Sequence, residues 1–400
     1  MLTRLTRLMF ASVLLCLFAP VQAGYRLETV AQNLEIPWGL AFLPDGRFLV
    51  TEHAGRLRVV SAEGEVSEPV EGVPAVYFKS QGGLFDVVTD RDFAANRRIF
   101  LTYAEGTPGD NGTAVARATL NESGTRPKLE NLEVIFRVER RKDTPVHYGG
   151  RLLILGDGNL LLTTGDGFSY RHEAQEVSSQ LGKTLRMTAD GKPAPGNPFP
   201  DAPYVWTWGH RNPQGLALAA DGTVWLNEHG PQGGDELNLI EPGKNYGWPA
   251  ICYCLDYTGA YVTPYTEWPG MEQPAHYWRP SIGPSGLAIY EGNQFPEWRG
   301  DFFSGALVDQ EVRRLHRGED GKLVEEKLFS EIGARVRDVR TGPDGALYFT
   351  VEGENGRIMR AVTDQPVATP PTEVPASVPA DEAGIEPAME PAIDPAPAES

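Results

Sequence analysis

The sequence predicts an all-β fold, a six-bladed β-propeller of four-stranded antiparallel blades, and three observations carry that expectation. Short β-rich runs punctuated by Asp-Gly and Gly-Asn recur along the chain, long stretches of helical periodicity are rare, and six of the runs share one grammar. Each copy has a small or apolar opening, alternating apolar residues, an Asp-Gly or comparable turn, and an apolar strand ending in Thr, Glu or Gly. Six such hairpins, spaced roughly 45 to 70 residues apart, suit propeller blades with insertions better than a sandwich.

The clearest copy is residues 39–51, where Gly39 opens an apolar strand, Pro44, Asp45 and Gly46 turn it, and a second strand closes on Thr51. Residues 84–103 follow, with the turn at 92–96, and residues 150–167 are the third copy. Residues 215–228 repeat the first almost position for position. Residues 286–305 are a looser fifth, and residues 338–350, turned by Pro343-Asp344-Gly345, are the sixth. Radial blades leave a central channel whose mouth collects loops from every blade. A ligand site is expected there, built from the connections between hairpins.

Both ends read as separate from this body. Arg4 and Arg7 precede an apolar run over residues 8–18, and Val21-Gln22-Ala23 resembles a small-residue cleavage site, so residues 1–23 read as an export signal and residues 24–363 as the mature propeller. The apolar run is too short to span a membrane, and no later stretch offers about 18 uninterrupted apolar residues, so no stable membrane insertion is expected. Lipid attachment at Cys16 is the alternative, without a convincing context. From Asp364 the chain becomes Pro, Ala, Glu and Val in loose alternation, a composition that cannot bury enough surface to offset its ordering entropy. Residues 364–400 therefore read as a disordered tail, and the location implied is periplasmic or secreted.

The formal net charge is −18, and the body stays strongly acidic after its tail is set aside. Such a body suits solubility and cation binding and is a poor partner for nucleic acid, which wants basic patches. Beyond the signal only Cys252 and Cys254 remain. A disulfide across one intervening residue would be strained, so two free thiols are expected, with a strained redox pair as the alternative.

Several connections carry polar groups that a propeller core does not need: Ser80-Gln81-Gly82-Gly83, Val146-His147-Tyr148-Gly149-Gly150, residues 209–215, residues 228–236, and Arg335-Val336-Arg337-Asp338-Val339-Arg340. Glycines beside polar side chains let a backbone approach a ligand closely, and Arg binds carboxylates in bidentate fashion. Together they read as a pocket for a polyanionic ligand.

These segments resemble the soluble aldose sugar dehydrogenases that depend on pyrroloquinoline quinone (PQQ), and the related soluble glucose dehydrogenases. Pro37-Trp38-Gly39, Gln81-Gly82-Gly83, His147, Leu181-Gly182-Lys183, Gly209-His210-Arg211-Asn212-Pro213-Gln214-Gly215, Glu228-His229-Gly230-Pro231, Asn245-Tyr246-Gly247-Trp248-Pro249 and residues 335–340 stand in the family's order, from about residue 28 to residue 362. The resemblance implies oxidation of an aldose at C1, with electrons passed to a quinone or cytochrome, by a monomer or homodimer carrying PQQ and calcium.

By that resemblance His147 is the general base, a role suited to a side chain that titrates near working pH. Arg211 and Asn212 contact the quinone oxygens, where a fixed guanidinium stabilises growing negative charge. Gln81, Tyr257 and the stretch Ala306-Leu307-Val308 match cofactor positions. Arg335 and Arg337, with Val336 between them, match the group that pairs with the PQQ carboxylates; two residues apart on a strand they point to one side. Arg340 is a further candidate. Calcium, a hard cation, takes carboxylate and carbonyl oxygens. The glucose dehydrogenases imply the carbonyls of Gly230 and Pro231 for it, the aldose enzymes Glu236 and Tyr246. Asp235 reads equally well as a surface carboxylate.

Two departures stand out. Val308 occupies a position where relatives carry a Lys near the cofactor, and Cys252-Tyr253-Cys254 has no counterpart in the family's pattern. Two other readings of the chain are a calcium-dependent propeller hydrolase of the lactonase type and a binding propeller without turnover.

Overall fold

A computed structural model describes residues 24–364. The expected export signal, and the expected tail beyond Asp364, lie outside the described residues. Asp364 itself donates its backbone N–H to the Gly24 carbonyl at 3.0 Å.

Each of the six hairpins read from sequence forms the two inner strands of one blade. The first blade has β2 (Pro37–Phe42), β3 (Phe48–Glu52) and β4 (Arg56–Val60). Its outer position is taken by a less regular segment in which Ser67 and Val70 donate backbone bonds to Val59 and Leu57. The second blade is β5 (Leu84–Thr89), β6 (Arg98–Thr107), β7 (Asp110–Asn121) and β8 (Lys128–Arg137). The third is β9 (Leu152–Ile154), β10 (Leu160–Thr164), β11 (Lys183–Met187) and β12 (Val205–Trp208). The fourth is β13 (Pro213–Leu218), β14 (Val224–Glu228), β15 (Asp235–Ile240) and β16 (His276–Trp278), and the fifth is β17 (Pro284–Ile289), β18 (Phe302–Ala306), β19 (Val312–Arg317) and β20 (Leu323–Leu328). The sixth, β21 (Val336–Thr341), β22 (Leu347–Val351) and β23 (Gly356–Thr363), takes its outer strand from the start of the described chain, β1 (Tyr25–Leu34), and so closes the ring. All ladders are antiparallel.

The Asp-Gly turns fold alike because the chemistry is the same. Leu43, Ala219 and Gly342 donate to the carbonyls of Arg47, Thr223 and Ala346, and Gly46, Gly222 and Gly345 sit at φ +86°, +88° and +79°, where a side chain would be strained.

Six apolar clusters lie at the six blade interfaces. Leu49 and Leu57 of the first blade pack with Leu84 and Leu101 of the second, and Ile358 of the sixth with Leu40 and Phe48 of the first. Strands read as near-continuous Val, Leu and Phe because both faces of each inner strand are covered.

The inner strands β2, β5, β9, β13, β17 and β21 neighbour one another around the channel, which a charged cluster plugs. Arg151 is 1% exposed and lies 3.1 Å from Asp338 and 3.5 Å from Asp86, both fully buried. Each carboxylate also accepts a backbone N–H of another blade, Leu40 to Asp338 and Leu152 to Asp86, both at 3.1 Å. Arg340 belongs here too, 3.1 Å from Asp338 and 3.4 Å from Asp86. Its candidacy as a cofactor ligand is therefore corrected: buried carboxylates draw it into the channel plug.

The two expected free thiols are also corrected. Cys252 and Cys254 are joined by a disulfide, and the backbone separates their Cα atoms by 5.3 Å, inside the usual range for such a bond.

Candidate active site

At the loop-rich channel mouth two cavities adjoin, of ≈ 260 Å³ and ≈ 360 Å³. Two segments are shared between them: Tyr148, Gly149 and Asn212 line the first, and their neighbours His147 and Arg211 the second. Gln81, Asn212, Leu307, Arg335 and Arg337 line the first, and His147, Arg211, Pro231 and Tyr257 line the second. Residues from separate blades thus converge as the sequence implied.

His147 occupies the left-handed region at φ +52°, between β8 and β9. Its backbone N–H donates to Gln81 Oε1 at 2.8 Å, so Gln81 holds the His147 backbone as well as lining the cavity. Its Nδ1 lies 2.7 Å from Asp166 Oδ1, which puts the ring proton on Nδ1 and leaves Nε2 without a protein partner among the described residues. Burial lowers the His147 pKa, against the opposing pull of Asp166, so the imidazole is neutral at neutral pH. Asp166 is buried, which works against its charge, but the neighbouring His147 and Arg211 hold its carboxyl below the ordinary range. Trp248 Nε1 and the Phe168 backbone donate to the same carboxylate at 2.7 and 2.8 Å. Sequence reasoning missed Asp166; its only signal was an acidic residue between Gly165 and Gly167 just after a strand.

Arg211 is 3% exposed and fixed on every side. Its backbone N–H donates to Glu228 Oε2 at 2.6 Å, Nη1 to the His229 and Gly230 carbonyls at 3.0 and 2.9 Å, and Nη2 to the Tyr257 hydroxyl at 3.2 Å. Asn212 Oδ1 accepts from the Gly149 backbone at 3.2 Å.

Arg335 and Arg337 point to one side as expected, and both reach a residue the sequence reading missed: Glu352 accepts from them at 2.7 and 2.5 Å. Arg337 also donates to Gln214 Oε1 at 3.0 Å. Trp38, Phe78 and Leu307 give the same cavity flat apolar walls. Val336 and Ala306 do not present side chains here; both are wholly buried in blade-interface clusters. Val308 lines neither cavity and is 60% exposed.

Asp235 is corrected from surface to interior: it is fully buried and accepts the backbone N–H groups of Gly230, Ile282 and Gly283 at 2.7–2.9 Å, tying the 230–235 loop to the next blade. Glu236 pairs in the ladder with Glu228, and burial together with that neighbouring carboxylate pushes its pKa up. Tyr246 uses its hydroxyl on the Leu239 carbonyl and the Glu241 N–H, so only its carbonyl is open to a cation.

The donor set fits PQQ: two guanidiniums against one carboxylate, amide side chains of Gln81 and Asn212, and apolar walls for a flat ring. For calcium the fit lies at Glu236, a half-buried carboxylate beside Glu228 with no cationic partner among the described residues. At Gly230 the carbonyl already accepts from Arg211. No group of three or more His, Cys, Asp or Glu side chains that could hold a metal occurs among the described residues.

The glucose/sorbosone dehydrogenase family model matches residues 34–360. The aldose sugar dehydrogenase YliI of Escherichia coli is 38% identical over 364 residues, covering 88% of this chain and 97% of that one. A solved structure of a glucose dehydrogenase is 44% identical with a TM-score of 0.80, covering 84% of this chain and 99% of that one. The PQQ-bound aldose sugar dehydrogenase of Streptomyces coelicolor is 28% identical with a TM-score of 0.72, covering 86% and 99%. With the match spanning all six blades and the loops of the site, the chain belongs to the glucose/sorbosone dehydrogenase family.

Proposed function

We propose that this chain oxidises aldose sugars at C1 to their lactones, using PQQ and calcium, and passes the electrons to a quinone or cytochrome. The observation that carries the reading is the His147–Asp166 pair at 2.7 Å, which leaves a neutral Nε2 in the cavity beside a fixed Arg211. PQQ, when bound, supplies the acceptor for the hydride leaving C1.

The protein's own part is positioning and proton movement. Gln81, Asn212, Arg335 and Arg337 would hold the cofactor in the first cavity. His147 Nε2 takes the proton of the C1 hydroxyl, and Asp166 stabilises the resulting imidazolium through Nδ1–H. Arg211, already dry and oriented, needs no reorganisation to meet negative charge developing beside it. Glu236 and the Tyr246 carbonyl would hold calcium. The Cys252–Cys254 disulfide and the basic-then-apolar start of the sequence support an exported, periplasmic or secreted location.

The test is dye-linked oxidation of a panel of aldoses by the mature chain, with PQQ and calcium each omitted in turn and repeated in His147→Ala. Activity that needs PQQ and collapses in the variant supports the proposal. Lactone hydrolysis without PQQ, or no PQQ binding, overturns it.

A further inference from the structure

We propose that the Cys252–Cys254 disulfide is a positioning element for the active site: it fixes the backbone turn at the root of the first arm of the 252–265 hairpin and so sets the path that brings Tyr257 against Arg211 as a wall of the cleft. The kinetic part rests on the sugar-oxidation reading; the structural part does not.

The hairpin is an insertion between β15 and β16. Cys252 donates its backbone N–H to the Tyr265 carbonyl at 3.1 Å, Leu255 bridges to Tyr261, and Asp256 N–H donates to Ala260 at 2.8 Å. Apolar burial does not hold its tip. Tyr257, Tyr261 and Tyr265 are 55%, 78% and 50% exposed, whereas the two cysteines at the base are 7% and 6% exposed. They pack on Trp248 and Ala174, and Cys254 lies so close to Gly234 that a Cβ there would come within 2.9 Å of it. The bond closes a three-residue loop within one arm, which restricts the directions in which residues 255–257 can leave the buried base, while the Cys252–Tyr265 backbone bond joins the two arms.

From that base, polar contacts reach the reacting groups. Leu255 and Gln232 exchange backbone bonds at 3.0 Å each, which ties the hairpin to the loop carrying Gly230 and Pro231. Arg171 donates to Asp256 at 3.2 Å across the cleft mouth, and Arg211 donates to the Tyr257 hydroxyl at 3.2 Å. Trp248, packed against the disulfide, is also the residue that donates to Asp166. A misplaced tip therefore frees one side of the Arg211 guanidinium, and misplacement of a positioning group on the ångström scale is costly to turnover.

The experiment uses the full mature chain in three forms: native, the Cys252→Ser/Cys254→Ser double variant, and native protein treated while folded with a phosphine, which opens the bond to two thiols and leaves as its oxide. Amide hydrogen exchange needs neither cofactor nor activity. The expected result is lost protection at Gln232 and in residues 250–265, with the inner strands unchanged. With PQQ and calcium present, kcat falls roughly five- to twentyfold at nearly constant Tm, and in a Tyr257→Phe background opening the disulfide adds almost nothing further. Unchanged exchange, two thiols titrating in the untreated protein, or additive effects with Tyr257→Phe overturn the proposal. If no form oxidises sugars, the proposed function fails and exchange alone decides this inference.

Discussion

Asp166 Oδ1 stands 2.7 Å from His147 Nδ1, and the two residues come from opposite ends of the third blade's inner hairpin. The pair fixes which imidazole nitrogen is basic. Asp166→Asn should cut kcat by roughly 10²- to 10³-fold while leaving the cavity and PQQ affinity nearly intact. Because burial depresses the His147 pKa, the native kcat/KM should hold through neutral pH and fall only on the acid side of the ordinary His value, as the imidazole protonates. A pH–rate profile of both proteins checks this.

Glu352 neutralises one of the two guanidiniums offered to the first cavity. Replacing it in Glu352→Gln should strengthen PQQ binding several-fold, by freeing positive charge, and at the same time destabilise the fold by about 1–3 kcal/mol, since Arg337 loses a charged hydrogen-bond partner. Arg335 and Arg337 lower the Glu352 pKa although burial opposes them. That stabilisation is present above the unfolded carboxyl pKa and is lost as pH falls through the folded one. PQQ titration and thermal melts at two pH values separate the opposite effects.

His53 and His229 are buried beside Arg337, and burial followed by that charge lowers their pKa values to about 4 and about 3. A folded His pKa below the unfolded one means that the unfolded chain takes up protons first, so stability falls as pH drops below the ordinary His value of about 6.5. Tm should decline between pH 6.5 and 4, and less steeply in His53→Gln. Melting curves across that range measure it.

Burial and Glu228 both oppose a charge on Glu236 and push its carboxyl up to about 8. A cation there relieves the repulsion, so calcium should raise the native Tm, a chelator should lower it, and Glu236→Gln should melt at one temperature in either. Differential scanning fluorimetry with calcium and with chelator gives the comparison.

The local half of this protein was legible before folding. The Asp-Gly turns at Gly46, Gly222 and Gly345, and the alternating apolar runs on either side, are short-range chemistry, and all six hairpins sit where that chemistry placed them. Gln81, His147, Arg211 and Asn212 were legible as candidates as well, because they stand in polar, glycine-containing connections between hairpins whose motifs resemble those of the family.

The contacts that give those residues their properties were not legible. Asp166 and His147 are 19 positions apart, Glu352 and Arg335 17, and nothing in the spacing indicates that either pair meets. Arg340 and Arg337 stand three apart on one strand, yet one ends at the cavity and the other on the channel carboxylates, because strand direction carries them to different depths. The disulfide was misread for a related reason: whether Cys252 and Cys254 can bond depends on the path of the backbone between them, which sequence separation does not specify. The sequence by itself determined the blades, their order and the residue types available for chemistry, since these follow from periodicity and turn preference. Tertiary structure alone decided which charges face each other and which are buried, since closing six blades into a ring brings groups from distant segments within a few ångströms in a medium that screens them weakly.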